Sequence, residues 1–259
     1  MPTMNANKLM AALDAAGDAT VATHSQRFFK TGPGQYGEGD IFIGVRVPQT
    51  RVICREFADM SLDQIERVLD SPIHEHRIAG VIIMSEQTKR ARKNNDQKTR
   101  RALYELYLRR ADRINNWDLV DVSSPAVVGE YLLDKDSYSP LLKLAKADLL
   151  WERRIAIVST LAFTRADRFE PVTTVSRMLI NDSEDLMHKA VGWMLREAGK
   201  RDIAVLEQFL TEHAHELPRT ALRYSIERMT PERRQYWMAA KAKAQSANQA
   251  VRSGLAANG

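Results

Sequence analysis

Two side chains in the segment NNWDLVD are the first candidates for chemistry. Trp117 and Asp121 are four positions apart, so a helix would place an indole and a carboxylate on the same face. Asn116 is a candidate N-cap, and Asp118 would be a favourable charge in the first turn. Asp121 lies one turn further along, where the helix dipole stabilises a carboxylate less. Asp121 is therefore the acid of this segment that a capping role explains least well.

An arginine in the segment LLWERRIAIVSTL is the next candidate. Arg154 lies beside an apolar stripe of helical spacing, where a guanidinium either extends to solvent or meets an anion. Arg153 is almost as close to the stripe, and the spacing alone does not choose between the two.

A third segment, KAVGWMLRE, contains a glycine directly before a tryptophan. Gly192 would allow another backbone or a ligand to approach closely beside the indole of Trp193. Packing in the core is an equally good interpretation of Trp193, and it is the plain interpretation of Trp151.

Positive charge is concentrated between Lys89 and Arg113, where ten Lys and Arg residues face three Asp and Glu residues, with Tyr104 and Tyr107 among them. Such a run is usually a solvated helix face. The sharper interpretation is a strip that binds phosphates, since release of counterions would drive its association with a DNA duplex.

Other chemistries have weak support. Histidines such as His74 and His76 are spaced by two, which points them to different faces of a helix, so we expect surface or capping side chains and no zinc site. Cys54 is the single cysteine, which excludes an intramolecular disulfide, and it is expected in the core. The glycine-rich segment TGPGQYGEGDIFIG lacks the GK[ST] of a phosphate-binding loop, and Tyr36 is the large side chain within it. We expect no cofactor and no metal.

The elements that must position these residues are predicted to be helices. Apolar residues recur at spacings of three and four, and prolines stand where helices should begin. Alanines in similar contexts at 156, 190 and 221 are 34 and 31 positions apart. That period is typical of HEAT-like and armadillo repeats and predicts an all-α solenoid, with an irregular helical bundle as the alternative. We predict one curved domain at residues 1–238 with a concave basic face, followed by a flexible tail at 239–259.

Composition agrees with a globular protein that has a polyanionic partner. The chain has 259 residues, 44% of them hydrophobic, and a formal net charge of +5. It contains no apolar run of the roughly 18–20 residues that a membrane span needs. We expect a cytoplasmic monomer.

Four segments together resemble the DNA alkylation repair family, the AlkD-type alkylpurine DNA glycosylases built from HEAT-like repeats. They are WDLVD at 117–121, WERRIAIV at 151–158, DLMHKAVGWMLREAGKRD at 185–202 and LPRTALRYSIERM at 217–229. The earlier segment EGDIFIGVRVPQTR at 38–51 is also similar, so the resemblance covers most of residues 30–230.

The resemblance implies a glycosylase that removes cationic alkylated purines (3-methyladenine and 7-methylguanine) from double-stranded DNA without flipping the base. It implies catalytic roles for Asp121, Trp117, Trp193 and Arg154, and it selects Arg154 over Arg153. We expect further DNA contacts from Arg153, Lys189, Arg196, Arg92, Lys93 and Tyr36.

Two other hypotheses stay open at this point. One is a non-catalytic HEAT-repeat protein that binds damaged or branched DNA. The other is a solenoid for protein interactions, which would show an apolar groove and no salt-sensitive affinity for DNA. The glycosylase hypothesis requires the four implied catalytic side chains to meet on one concave face.

Overall fold

The computed structural model describes residues 5–135, 137–239 and 241. Within these ranges the regular structure is helical, and β pairing is limited to one isolated parallel bridge between Ile41 and Ile73. The predicted all-α class is confirmed. Among the described residues, none of the helices combines the length and the apolar character that a membrane crossing requires.

The chain divides into two compact units, with the boundary between residues 136 and 137. The single repeat domain at 1–238 stays a prediction. The predicted tail at 239–259 lies outside the described residues except at positions 239 and 241, which are helical.

The N-terminal unit is built around one long central helix. Its helices are α1 (Ala6–Ala15), α2 (Ala19–Phe28), α3 (Val47–Cys54), α4 (Leu62–Leu69), α5 (His74–Lys93), α6 (Gln97–Arg109), α7 (Trp117–Ser124) and α8 (Glu130–Leu133). Helix α5 packs against α1, α3, α4, α6 and α7, and its residues 74–85 are buried on all sides. A helix that is enclosed in this way fixes the positions of the elements around it.

Helices α7 and α8 are joined by a π-helical turn at Pro125–Gly129. Pro125 has no N–H to donate to the carbonyl of Asp121 four residues earlier, so the regular α-helical ladder cannot continue through this point. The wider turn begins directly after α7, the helix that contains Trp117 and Asp121.

The C-terminal unit has the repeating order that the sequence predicted. Its helices are α9 (Ser139–Leu144), α10 (Leu150–Arg165), α11 (Glu170–Met178), α12 (Asp185–Arg201), α13 (Ile203–His213) and α14 (Arg219–Ser225), followed by helical residues 231–239. The starts of α10, α12 and α14 are 35 and 34 residues apart, and each of these helices packs on the next. Helices α11 and α13 pack against their own predecessors. The three alanines at 156, 190 and 221, one on each of these helices, are all buried.

Gly192 allows α12 and α14 to approach closely. A methyl group at this position would overlap the carbonyl oxygen of Ala221 and would lie 2.5 Å from the Cβ of Tyr224. The close approach predicted beside Trp193 is therefore made by another backbone.

Candidate active site

Trp117 is the first residue of α7, and its indole is held on two sides. Asn116 is the N-cap of α7, as predicted, and its buried side-chain oxygen accepts a hydrogen bond from the Trp117 backbone N–H at 2.8 Å. The half-buried indole stacks on Phe29, with 5.3 Å between ring centroids and 17° between the planes. Its Nε1–H donates to the hydroxyl of Tyr36 at 3.2 Å. Together these contacts fix the plane and the direction of the indole.

The indole belongs to an aromatic cluster formed by Phe28, Phe29, Tyr36, Phe42 and Trp117. Phe42 also stacks on Phe29, with 4.9 Å between ring centroids and 22° between the planes. Phe28 meets Phe29 and Trp117 edge-on at 5.2 and 6.1 Å, and it is 58% exposed. Sequence reasoning missed the phenylalanines, although the FF pair at the end of α2 stands directly before the glycine-rich segment.

Asp121 lies one turn after Trp117 on α7 and is half-buried. Its neighbour is the fully buried Tyr107, whose hydroxyl lies 2.7 Å from the Oγ of Ser123. Burial is the main cause that raises the pKa of Tyr107, and the negative charge of Asp121 adds to the effect. The carboxylate is therefore close enough for its charge to be felt by groups beneath α7.

A buried charge network lies under the first turn of α7. It consists of Asp40, His74, Arg77, Asn116 and Asp118, all of them no more than 8% exposed. The imidazole of His74 bridges two carboxylates, with Nε2 2.8 Å from Asp118 Oδ2 and Nδ1 3.3 Å from Asp40 Oδ2. Asp40 also accepts hydrogen bonds from Arg77 and, at 3.0 Å, from Asn116. Two cations thus face two carboxylates inside the N-terminal unit.

The partners of His74 and Asp40 in this network favour the charged forms of these two side chains. Burial alone would lower the pKa of His74, but the carboxylates of Asp118 and Asp40 outweigh it and raise the pKa to about 9. Burial likewise works against ionised Asp40, yet hydrogen bonds and the charge of Arg77 lower its pKa. His74 is consequently protonated at neutral pH.

Glu75 fixes the segment that precedes α3. Its carboxylate is 4% exposed, and its Oε1 accepts hydrogen bonds from the backbone N–H groups of Ile43, Gly44 and Val45 at 3.2, 2.7 and 3.3 Å. Gly44 has a φ of +84°, and a methyl group there would overlap the carbonyl oxygen of Asp18. The turn at 43–45 therefore depends on both the carboxylate and the missing side chain.

The expectation that His74 and His76 are surface or capping side chains was wrong. His76 is also buried, and its ring nitrogens lie 2.9 Å from Ser71 Oγ and 2.9 Å from Asp14 Oδ1. A spacing of two does point the two rings to different faces of α5. Each face, however, is covered by another element that supplies a carboxylate. The expectation for Cys54 is confirmed, because the thiol is buried and burial raises its pKa to about 12.

Arg154 and Trp193 lie in the C-terminal unit, on α10 and α12. Arg154 is 4% exposed and donates a hydrogen bond to the carbonyl of Leu186 at 2.8 Å. Trp193 follows Gly192 and is half-buried. Trp117 and Asp121 lie in the other unit, so the meeting of all four side chains stays a prediction.

Several of the expected DNA contacts have internal partners. Arg153 binds the carboxylate of Asp182 at 2.7 Å and the carbonyl of Asp148 at 2.7 Å. Ion pairs also join Arg92 to Glu130 and Asp134, Lys189 to Asp185, and Arg196 to Glu227 and Glu197. Lys93 is exposed. Contacts of these residues with DNA stay predictions.

The basic run from Lys89 to Arg113 cross-links the N-terminal unit. Arg110 binds Glu66 and Asp70, and Arg100, which is 1% exposed, binds Asp134. These pairs join α6 to α4 and to the end of α8, so this part of the charge stabilises helix packing. Within the described ranges, no three His, Cys, Asp or Glu side chains gather in a way that could hold a metal ion.

The chain is similar to known proteins in both sequence and fold. Residues 9–229 match the family model of the DNA alkylation repair enzyme. No curated protein matches the sequence significantly. The fold is similar to a solved structure described as a predicted DNA alkylation repair enzyme from Enterococcus faecalis, with a TM-score of 0.63 and 16% identity over 83% of this chain and 97% of that one. The structural likeness shows a shared fold, and the family match indicates a role in DNA repair. The chain belongs to the DNA alkylation repair enzyme family.

Proposed function

We propose that this protein is a DNA glycosylase that hydrolyses the N-glycosidic bond of cationic alkylated purines, such as 3-methyladenine and 7-methylguanine, in double-stranded DNA. The observation that carries the proposal is the fixed indole of Trp117 one helical turn from the carboxylate of Asp121. A π face and a negative charge are thereby arranged on one helix, where both can act on the same positive centre.

The chemistry of the substrate explains why such a simple arrangement is sufficient. Alkylation at N3 of adenine or N7 of guanine gives the base a positive charge. When the bond from C1′ to the base nitrogen breaks, its electron pair neutralises the base, which leaves without protonation. The deoxyribose is left with oxocarbenium character until the oxygen of a water molecule adds to C1′ and the water loses a proton. The catalyst must therefore stabilise a sugar cation, and it has little need of a general acid.

The residues then take the following roles. Asp121 stabilises the sugar cation and accepts the proton of the attacking water. Trp117 and Trp193 pack against the deoxyribose and contribute cation–π attraction of about 1–2 kcal/mol each where water is excluded. Arg154 holds a backbone phosphate and sets the register of the duplex. Because the base needs no acid to leave, the reaction does not require that it be flipped into a pocket.

The proposal is tested with a duplex that contains a single 7-methylguanine. Free base is measured by chromatography, and abasic sites are measured by strand cleavage in hot alkali. We expect release by the wild type and a rate about 10²–10³-fold lower for Asp121→Asn. Asp112→Asn, which changes an exposed aspartate of the same unit, is the matched control and should retain the wild-type rate.

Two results would overturn the proposal. One is equal release by the wild type and Asp121→Asn. The other is tight, salt-sensitive binding of the duplex by the wild type with no release of base, which would favour a non-catalytic DNA-binding protein.

A further inference from the structure

We propose that His74, Asp40 and Asp118 are positioning residues that fix Trp117 and Asp121 through the first turn of α7. The inference rests on the proposed function, and it assigns no contact with substrate to these three side chains. It concerns how the N-terminal unit holds one indole and one carboxylate in a set direction.

The first argument is that both sequence neighbours of Trp117, Asn116 and Asp118, belong to the buried charge network. Asn116 donates to Asp40 at 3.0 Å while its own oxygen caps Trp117. The carboxylate of Asp118 accepts a hydrogen bond from Nε2 of His74 at 2.8 Å. The backbone of Trp117 is thus held on its N-terminal and C-terminal sides by groups that meet at Asp40 and His74. Asp121 follows Asp118 by three residues on the same short helix, so a rotation of α7 would displace both candidate catalytic side chains.

The second argument is a stack of rings that leads from the network to the indole. The imidazole of His74 stacks on Phe42 at 4.5 Å and 25°. Phe42 stacks on Phe29, and Phe29 stacks on Trp117. Phe29 also contacts the imidazole directly, with 5.1 Å between ring centroids and 41° between the planes. His74 is therefore connected to Trp117 by two routes, one through Asp118 and the backbone and one through the ring of Phe29.

The third argument concerns what a buried charge network provides. Replacing buried ion pairs with apolar residues of similar volume is often neutral for stability, because desolvation offsets the attraction. Hydrogen bonds between charged groups are directional, and these five residues connect the segment at Asp40, the start of α5 and the start of α7. Orientation is the property that such a network supplies and that apolar packing would not.

The same helix supplies a matched control. His76 lies two residues after His74, is equally buried, and makes two contacts of similar length with Ser71 and Asp14. Neither of those partners is a sequence neighbour of Trp117. His76→Gln therefore removes a buried histidine of α5 without touching the network under α7.

The first experiment measures the position of the indole without reference to activity. The chain has four tryptophans, so a ¹⁵N spectrum has four indole signals, and Trp117→Phe identifies the signal of Trp117. We expect His74→Gln and the isosteric Asp118→Asn to shift or broaden this signal. His76→Gln should leave it unchanged. Asp118→Asn decides the matter if His74→Gln does not fold.

A pH series adds a second reading of the same signal. In the wild type the Trp117 signal should follow one titration near pH 9, and His74→Gln should abolish it. The charged groups that face the imidazole are Asp40 and Asp118. Arg77, on the same helix, binds Asp40, and Arg113 lies close to Arg77.

The second experiment measures release of 7-methylguanine as kcat and KM. Both network variants should lower kcat at least tenfold while KM stays within about twofold, since the surface that binds DNA is not altered. His76→Gln should match the wild type. An unchanged Trp117 signal in both network variants would overturn the positioning role whatever the activity. A wild type that releases no base would overturn the proposed function, and the indole signal would still decide whether the network fixes Trp117.

Discussion

The indole nitrogen of Trp117 donates a hydrogen bond to the hydroxyl of Tyr36, 81 positions earlier in the chain, at 3.2 Å. The glycine-rich segment that contains Tyr36 is therefore part of the candidate active site in the N-terminal unit. Tyr36 was expected to contact DNA, which stays a prediction. In the structure its hydroxyl already has a role, because it sets the direction of the indole edge.

Replacing Phe29 with alanine should loosen Trp117. Phe29 lies between Phe42 and Trp117, so Phe29→Ala removes two stacking contacts and leaves a cavity under the indole. We expect a loss of about 2–3 kcal/mol in the free energy of unfolding, measured with urea. Phe28→Ala is the control, and it should cost less than about 1 kcal/mol because Phe28 is 58% exposed. Equal losses for the two variants would contradict this account of the cluster.

Stability should fall as pH rises above neutrality. The pKa of His74 is raised from 6.5 to about 9 in the folded protein, so the folded state retains a proton that the unfolded state has lost between these values. The stabilisation is fully present below pH 6.5 and is lost as pH rises through 9, with a slope of about 1.4 kcal/mol per pH unit and a total on the order of 3 kcal/mol.

The difference in unfolding free energy between wild type and His74→Gln measures this effect from pH 6 to 9. Taking the difference cancels the contribution of Cys54, whose raised pKa also makes stability fall at high pH. His76 has the opposite effect at the lower end of this range, because burial lowers its pKa below 6.5, and the difference between the two proteins cancels that contribution too. A difference that does not vary with pH would show that His74 is not held protonated.

Gly192→Ala should destabilise the C-terminal unit. Alanine favours a helix interior by about 1 kcal/mol over glycine, but its methyl group would overlap the carbonyl oxygen of Ala221 in α14. The overlap dominates because α12 and α14 must separate, and we expect a net loss of about 1–3 kcal/mol in urea unfolding. At Gly32 a methyl group would lie 3.2 Å from the flexible end of Gln35, so Gly32→Ala should change stability by less than about 0.5 kcal/mol.

Arg153→Met should lower stability by about 3 kcal/mol, because it leaves the carboxylate of Asp182, only 5% exposed, without its ion-pair partner. Lys200→Met, which breaks an exposed pair with Glu197, should cost less than about 1 kcal/mol in the free energy of unfolding.

Binding of DNA by Arg153→Met at several salt concentrations tests whether Arg153 also contacts a phosphate. A phosphate contact made by Arg153 would lower the slope of log affinity against log salt by about one. Unchanged stability would refute the structural role.

Local signals in the sequence predicted much of the scaffold. The spacing of Ala156, Ala190 and Ala221 predicted the approximate period of α10, α12 and α14, because the three alanines are buried residues of these successive helices. Asn116 was predicted as an N-cap and Gly192 as a point of close approach. Each of these features depends on residues within one helix or one repeat, and local sequence patterns can predict features of that range.

The surroundings of Trp117 could not be predicted in the same way. Asp40, His74 and Asp118 span 78 positions and come from three separate elements. The spacing of His74 and His76 predicts that the two rings lie on different faces of α5. It does not predict which carboxylates from other elements cover those faces. For the same reason the run from Lys89 to Arg113 could not be divided in advance into cations that bind neighbouring helices and cations that remain exposed.

The conformation of Gly44 restricts how this sequence can vary. A side chain at Gly44 would disfavour the left-handed backbone conformation and would overlap the start of α2, so one of the two would have to shift. Helix α2 ends at the phenylalanine pair beside Trp117. A substitution far from Asp121 in the sequence would then release the rings that support the indole. Among natural variants of this chain, we therefore expect a change at Gly44 to lower the proposed activity while leaving the carboxylate of Asp121 intact.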